Sequence, residues 1–208
     1  MNYFVTGTDT GIGKTFVTNL LVRSLRKAGM DSVGMKPICC GDRGDAELLQ
    51  AAADNSVGID EVNPVWLEVP AAPYTASMVE ERMIDIPAVL ATYRRLRKTH
   101  PSVLVEGVGG WMVPIRQDYY VRDLAADIGL PVLVVAANKL GTINHTLLTV
   151  QSIQASGQVC AGVILNSPSP QADLISFTTN KAILEHLLDV PILFEIGRDQ
   201  EEIELAIA

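Results

Sequence analysis

Short apolar runs recur along the chain, and between them lie segments in which apolar residues return every three or four positions. Short runs are typical of strands buried on both faces, and the longer spacing is typical of helices with one buried face. Strands are predicted at residues 3–5, 32–35, 103–105, 132–137, 159–166 and 191–196, and helices at 14–28, 46–53, 86–99, 121–128, 142–156 and 175–188. Because parallel strands need crossover connections, this alternation predicts an α/β fold with a mostly parallel central sheet flanked by helices.

The remaining stretches do not divide the chain into separate domains. Residues 54–85 are proline-rich, and we expect a loop with short helical pieces there, because too little chain precedes them to form a closed fold. Residues 201–208 predict a short terminal helix. A chain of 208 residues suits one domain, spanning 1–208, with a sizeable core.

The composition narrows the possible partners and the cellular location. The formal net charge of −8 argues against binding to nucleic acid or to an anionic membrane surface. No apolar run reaches the roughly 20 residues of a membrane span, and the first strand begins where a signal sequence would lie. Cys39, Cys40 and Cys160 form no CxxC pair, so we expect reduced thiols in a cytoplasmic protein.

The first strand runs into a glycine-bearing loop, and Gly13-Lys14-Thr15 then opens a helix. Such a loop binds phosphate through backbone N–H groups and the helix dipole, while the lysine reaches the β- and γ-phosphates and the threonine hydroxyl ligates Mg²⁺. The spacing departs from GxxxxGK[ST], because the earlier glycine is Gly7 rather than residue 8, and the loop is longer by one residue. The alternative is a turn that only joins strand to helix.

Two further strand ends carry charged residues, and the carboxyl ends of parallel strands are where ligands bind in open α/β sheets. Lys36 follows the second strand, and Asp42 and Asp45 compete as carboxylates at the phosphate site, although Asp45 is also a candidate N-cap. Glu106 follows the third strand and precedes a glycine-rich loop, 107–110. Its carboxylate is a candidate Mg²⁺ ligand, with a structural salt bridge as the alternative.

The later strand ends suggest anion and base recognition. The helix that begins near Thr142 or Asn144, either of which is a candidate cap, offers its N-terminus to an anion such as a carboxylate. His145, in its first turn, is expected to be a hydrogen-bonded structural histidine rather than a base. Asn166 is placed to contact an adenine, with simple turn chemistry as the alternative. The arginines and lysine of 86–99 are expected to form a solvated helix face.

Taken together, these motifs resemble those of the dethiobiotin synthetase family. The resemblance covers the chain from the first strand to the last, in the family's order and at roughly its spacing. It depends on residues 7–15, Lys36-Pro37, Glu106-Gly107-Val108-Gly109-Gly110-Trp111, Lys139-Leu140-Gly141-Thr142-Ile143-Asn144-His145 and Asn166. The stretches at residues 106–111 and 139–145 are more specific than the phosphate loop, which several P-loop families share.

The resemblance implies a single-domain P-loop NTPase fold and an ATP-dependent ligase that acts as a homodimer. The expected substrates are 7,8-diaminononanoate, CO₂ or bicarbonate, and ATP with Mg²⁺. One amine would take up CO₂ as a carbamate, which would attack the γ-phosphate to give a carbamic–phosphoric anhydride. The second amine would then close the cyclic urea of dethiobiotin and release phosphate.

The resemblance also implies roles for individual residues. Lys14 and Lys36 would be catalytic and stabilise negative charge, and Thr15, Asp45 and Glu106 would surround Mg²⁺. The implied ATP-binding residues are Gly11, Ile12, Gly13, Lys14, Thr15, Phe16, Asp45, Glu106, Gly107, Val108, Gly109, Asn166 and Gly197. The implied substrate-binding residues are Thr10, Lys36, Cys40, Gly141, Thr142, Ile143 and Asn144, the last four through the helix N-terminus.

Four departures from the family pattern affect these roles. The loop between Lys36 and Asp45 is short, and Cys40 stands where serine or threonine is usual. Tyr74 replaces a common histidine, and no role is carried onto it. Gly197 replaces a proline after the last strand.

Two rival functions share the fold. A partitioning or septum-site ATPase is expected to show a basic surface or tail, and residues 199–204 are acidic instead. A cobyrinate-type amidotransferase needs a glutaminase, for which 208 residues leave no room.

Overall fold

The computed structural model describes residues 1–167, 174–197 and 200–203. Its strands are β1 Tyr3–Gly7, β2 Ser32–Met35, β3 Ile38–Cys40, β4 Val65–Leu67, β5 Ser102–Glu106, β6 Pro114–Arg116, β7 Tyr119–Tyr120, β8 Val132–Ala137, β9 Cys160–Ser167 and β10 Ile192–Gly197. Its helices are α1 Lys14–Lys27, α2 Gly44–Ala52, α3 Ile59–Val62, α4 Pro73–Val79, α5 Ile86–Thr99, α6 Val121–Ile128, α7 Thr142–Ala155 and α8 Leu174–Leu187.

The main sheet has six strands in the order β10-β9-β8-β1-β5-β2, and every adjacent pair is parallel. The predicted parallel α/β sheet is therefore confirmed. All six strands point the same way, so their carboxyl ends share one edge. β2 and β5 lie on one side of β1, and the later strands β8, β9 and β10 lie on its other side, so the direction of chain progression across the sheet changes at β1. Such a switch point is where open α/β sheets bind ligands.

The sheet is buried on both faces, which explains why its strands are nearly continuous apolar runs. Phe4 and Val134 pack into one apolar layer, and Val5 and Val135 pack into the other. All four side chains are fully buried. Helices α1 and α2 pack against β2 and against each other, which fixes where their first residues lie.

Two small sheets were not predicted. β3 and β4 form a parallel pair beside the main sheet, and β6 and β7 form a short hairpin. The expectation for residues 54–85 is correct for the helical pieces α3 and α4 but missed β4, because a three-residue strand shows no periodicity.

Other expectations have mixed outcomes. Residues 201–203 lie outside any helix, and 204–208 of the expected terminal helix lie outside the described residues. All three cysteines are free thiols, as expected, and Arg94, Arg95 and Lys98 are exposed on α5. In the described part of the chain, no helix combines the length and apolarity that crossing a membrane requires.

We expect Gly34→Val to lower the free energy of unfolding by about 1–3 kcal/mol, because it overpacks the contact between β2 and α2. A Cβ at Gly34 would lie 3.0 Å from the Cβ of Leu49. Urea denaturation measures the change. Gly58→Ala is the control, because its Cβ would meet only Glu61 Oε2, at 3.7 Å, and an equal loss in both variants would contradict the prediction.

Candidate active site

A cavity of about 690 Å³ opens at the carboxyl edge of the main sheet, where β1, β2 and β5 end. The residues that line it come from the phosphate loop, from the segments after β2 and β5, and from a proline-rich turn. They are Thr10, Gly11, Gly13, Lys14, Thr15, Lys36, Cys39, Cys40, Asp42, Asp45, Pro70, Ala71, Ala72, Pro73, Glu106, Val108, Gly109 and Val113.

The loop between β1 and α1 has the form of a phosphate cradle. Gly11 and Gly13 adopt positive φ angles of 70° and 88°, which glycine tolerates and other residues rarely adopt. Gly13 is the N-cap of α1, and no side chain caps this helix, so the N–H groups of its first turn lack a side-chain acceptor. Free amides at a helix N-terminus suit an anion.

The lysine of this loop is held over the cradle. Lys14 is 6% exposed, and its Nζ donates a hydrogen bond to the backbone oxygen of Asp9 at 3.0 Å. Burial, followed by repulsion from the nearby Lys36 ammonium, lowers the pKa of Lys14 to about 8. An anion bound in the cradle would oppose both effects and raise this pKa, because its negative charge would stabilise the ammonium.

Lys36 bridges two carboxylates. Its Nζ lies 2.7 Å from Asp45 Oδ2 and 2.5 Å from Glu106 Oε1. Burial alone would lower the pKa of Lys36, but Glu106 and Asp45 together outweigh it and raise that pKa above its usual range. The ammonium is therefore charged at neutral pH and fixed between strands β2 and β5.

Glu106 is the most deeply buried charge of the site, with no exposed surface. Its Oε1 also accepts a hydrogen bond from the Thr15 hydroxyl at 2.8 Å, whereas its Oε2 has no hydrogen-bond partner among the described residues. A hydroxyl and two carboxylates, one of which has an unpartnered oxygen, fit a Mg²⁺ ion, which usually takes few protein ligands and keeps waters or substrate phosphates.

The two competing aspartates have different surroundings. Asp45 is the residue paired with Lys36, and although burial opposes this, Lys36 holds the pKa of its carboxyl below the usual value. Asp42 instead accepts a hydrogen bond from the Gly44 N–H at 2.8 Å, in the turn before α2. The N-cap of α2 is Arg43, so the N-cap assignment of Asp45 is wrong.

The glycine-rich loop after β5 packs directly on the phosphate loop. A Cβ at Gly109 would lie 2.8 Å from Val113 Cγ2 and 3.4 Å from Thr10 Oγ1, and one at Gly110 would lie 3.4 Å from the Gly7 oxygen. A Cβ at Gly107 would meet Val121 at 3.0 Å. These contacts explain why glycines follow Glu106, and they bring Val108 and Gly109 into the cavity wall.

Asn166, at the end of β9, contacts the phosphate loop from its other side. Its Nδ2 donates to the Ile12 oxygen at 2.7 Å, and its buried Oδ1 has no hydrogen-bond partner among the described residues. The side chain therefore does more than form a turn. Phe16 and Gly197 are exposed and lie outside the cavity lining, and Gly197 pairs with Ser167 at the end of β10.

Residues 141–144 lie outside the lining of this cavity. Gly141, with a φ of 92°, is the N-cap of α7 and has no side-chain cap bond, so the assignment of Thr142 or Asn144 as the cap is wrong. Thr142 is buried, Ile143 is half-buried, and Asn144 is exposed. His145 is exposed, and its ring has no hydrogen bond to the described residues, so its expected structural role is wrong as well.

Sequence reasoning missed part of the cavity wall. Pro70, Pro73 and Val113 line it, and the density of prolines after residue 68 was the available signal. Cys40 stands among them, with its pKa raised to about 11 by burial and by the Glu80 carboxylate. A thiol of this kind stays protonated at neutral pH and acts as a weak donor. Tyr74 is half-buried and does not line the cavity.

The fold and this site define a P-loop NTPase. Solved structures of similar architecture include the MinC:MinD cell division complex of Aquifex aeolicus, with a TM-score of 0.61, 13% identity and coverage of 96% of this chain and 82% of that chain. The septum site-determining protein MinD of Pyrococcus horikoshii, complexed with Mg-ADP, has a TM-score of 0.60 and 16% identity, with coverage of 96% and 82%. At these identities the likeness shows the fold alone.

Sequence comparison identifies the family. A family model described as an AAA domain matches residues 1–201. An ATP-dependent dethiobiotin synthetase of Akkermansia muciniphila is 44% identical over 98% of this chain and 95% of that protein. One of Thermodesulfovibrio yellowstonii is 41% identical over 92% of this chain and 86% of that protein. The chain belongs to the family of ATP-dependent dethiobiotin synthetases, and it is an enzyme of the ligase class.

We expect Lys36→Met to lower the free energy of unfolding by about 3–5 kcal/mol, because it leaves the Glu106 carboxylate buried without its cation. Urea denaturation measures this loss. Lys27→Met is the control, because Lys27 pairs with Glu202 at the surface, where an ion pair contributes about 0–1 kcal/mol. Equal small losses in the two variants would contradict the assigned role of the buried pair.

Proposed function

We propose that the enzyme converts 7,8-diaminononanoate, CO₂ and ATP into dethiobiotin, ADP and phosphate. The observation that carries the proposal is the position of Lys36. Its ammonium lies between Asp45 and Glu106, in the cavity that the phosphate loop also lines. A fixed positive charge beside a phosphate cradle suits the transfer of a phosphoryl group to an anionic acceptor such as a carbamate.

The phosphate groups of ATP are assigned to the cradle at the start of α1. The amides of residues 11–16 and the Lys14 ammonium would bind the β- and γ-phosphates. Thr15, Asp45 and Glu106 would hold Mg²⁺, which neutralises phosphate charge during transfer. Gly197 and Asn166, whose Oδ1 has no hydrogen-bond partner in the described part of the chain, are assigned to the adenine end.

The proposed reaction has three steps. One amine nitrogen adds to the carbon of CO₂ and loses a proton, which gives a carbamate. A carbamate oxygen attacks the γ-phosphorus, and ADP leaves as the anhydride forms. The second amine attacks the carbamoyl carbon and loses a proton, and phosphate leaves as the urea ring closes. Lys36 and Lys14 stabilise the negative charge that develops on the carbamate and on the transferring phosphoryl group.

The diamine is assigned to the part of the cavity beyond Lys36. Thr10 and Cys40 offer polar contacts there, and the Pro70–Pro73 turn with Val113 offers apolar surface for the alkyl chain. The substrate carboxylate is assigned to the uncapped N-terminus of α7, at Gly141–Asn144. Because these residues do not line the same protomer's cavity, we assign them to a second copy of the chain.

We expect phosphate release from ATP to require Mg²⁺, bicarbonate and 7,8-diaminononanoate together, because the γ-phosphate has no acceptor until the carbamate forms. The measurement is phosphate release by purified enzyme with each component omitted in turn, and radiolabelled bicarbonate should appear in an acid-stable product. Slow hydrolysis that is indifferent to the diamine would contradict the proposal. The alternative function, a nucleotide-switch ATPase, has support only at the level of the fold and would then become the preferred hypothesis.

Lys36→Ala is the matched variant for this assay. We expect it to abolish turnover while the enzyme still binds ATP through the cradle, because the charge that stabilises the transferring group is lost. Binding of a fluorescent ATP analogue and the circular dichroism spectrum report whether the variant remains folded. Wild-type turnover in this variant would refute the assigned role of Lys36.

We expect Leu148→Asp to convert a homodimer into monomers, measured by analytical ultracentrifugation. Leu140 lies just before α7, and Leu148 lies in the second turn of that helix. They are 72% and 59% exposed, so both present apolar surface near the proposed carboxylate site. Val159→Asp is the control, because that residue is 66% exposed in the connection before β9, outside α7. A wild-type protein that sediments as a monomer would contradict the proposed dimer.

A further inference from the structure

Lys36 lies where the chain leaves the main sheet. β2 ends at Met35, and β3 of the small sheet begins at Ile38, so the backbone groups of Lys36 have no partner strand in the main sheet. Its N–H donates instead to the Val62 oxygen at 2.8 Å, and its oxygen accepts from Asn63 Nδ2 at 2.8 Å. The position of the lysine therefore depends on the segment at the end of α3.

Asn63 is 1% exposed, and its side chain uses both of its ends. Besides the bond to Lys36, its Nδ2 donates to the Val65 oxygen at 2.8 Å. Its Oδ1 accepts from Arg43 Nε at 3.0 Å, and its backbone oxygen accepts from Arg43 Nη2 at 2.9 Å. A buried amide whose two N–H groups and oxygen are all hydrogen-bonded has one preferred orientation, since any rotation would leave polar groups unpaired.

Arg43 carries this link to the carboxylate side of the site. It is the N-cap residue of α2, two positions before Asp45, and its guanidinium also contacts Asp60 and lies over the Trp66 ring at 5.5 Å. Asn63 thus contacts both the backbone of Lys36 and the residue that begins the helix carrying Asp45. Glu106 comes from β5, and its hydrogen bonds to described residues are with Thr15 and Lys36, not with Asn63 or Arg43.

We propose that Asn63, with Arg43, positions the Lys36 ammonium against Asp45 and Glu106 for phosphoryl transfer. The inference rests on the proposed function, in which Lys36 stabilises the transferring group. Loss of the network would move Lys36 and Asp45 relative to Glu106, which the main sheet holds in place. A misplacement of about 1 Å in such a site costs on the order of 100-fold in rate.

Asn63→Asp tests the inference with little change in shape. The carboxylate still accepts from Arg43 but no longer donates to the oxygens of Lys36 and Val65. We expect kcat per folded molecule to fall by roughly 10- to 100-fold, while KM for ATP stays within about 3-fold, because the phosphate cradle is untouched. Steady-state kinetics, corrected for the folded fraction, measures this split.

Two further variants keep the test decisive. Arg43→Lys retains the charge but not the two-nitrogen contact with Asn63, and we expect the same fall in kcat with little change in KM for ATP. This variant provides the test if Asn63→Asp does not fold. Gln50→Ala is the control, because Gln50 Nε2 makes a similar amide bond to the Val57 oxygen at 2.9 Å without touching Lys36. It should lower stability and leave kcat unchanged.

A thermodynamic cycle separates this inference from the proposed function. If Asn63 places the ammonium, Lys36→Met should shift the urea midpoint by less than half as much in the Asn63→Asp protein as in the wild type. Additive shifts, or a wild-type kcat in both Asn63→Asp and Arg43→Lys, would overturn the positioning role. If Lys36→Ala retains turnover while the cycle shows coupling, the assigned chemistry fails and the positioning stands.

Discussion

The ion pair between the Lys36 ammonium and the buried Glu106 carboxylate is the interaction on which the site depends. A carboxylate without exposed surface is costly unless a cation and hydrogen bonds compensate it, and here Lys36 and Thr15 both contact the same oxygen. The strand order makes this possible, because β5 lies between β1 and β2. Glu106 therefore ends between the phosphate loop that follows β1 and the lysine that follows β2.

Close packing imposes the second constraint. The phosphate loop lies between the loop after β5 and the end of β9, and glycines occur where those neighbours come nearest. A Cβ at Gly13 would lie 2.2 Å from Asn166 Nδ2, and one at Gly109 would lie 2.8 Å from Val113 Cγ2. A loop held on both sides presents its amides in a fixed arrangement, so the loop would lose little conformational entropy when phosphate binds.

The features that follow from local sequence were predictable, and those that follow from distant contacts were not. The main strands were predictable because burial on both faces makes them apolar throughout, and Lys36 and Glu106 were predictable because both follow such strands. The sequence did not decide between Asp42 and Asp45, since both precede the predicted helix 46–53, and only the structure shows that Asp45 pairs with Lys36. Asn63 left no signal, because its contacts span 20 and 27 residues along the chain.

The proposed dimer follows from the two kinds of binding site that the proposed substrate requires. The diamine end and the carboxylate end of 7,8-diaminononanoate need opposite chemistries, a cluster of charges for one and free amides for the other. In the proposed assignment the cavity would supply the first, and the start of α7, which lies outside the cavity lining, would supply the second. MinD proteins share the fold at 13–17% identity, so the fold alone does not define this enzyme. Its substrate specificity would then depend on the proposed interface, where the cavity of one protomer meets α7 of another.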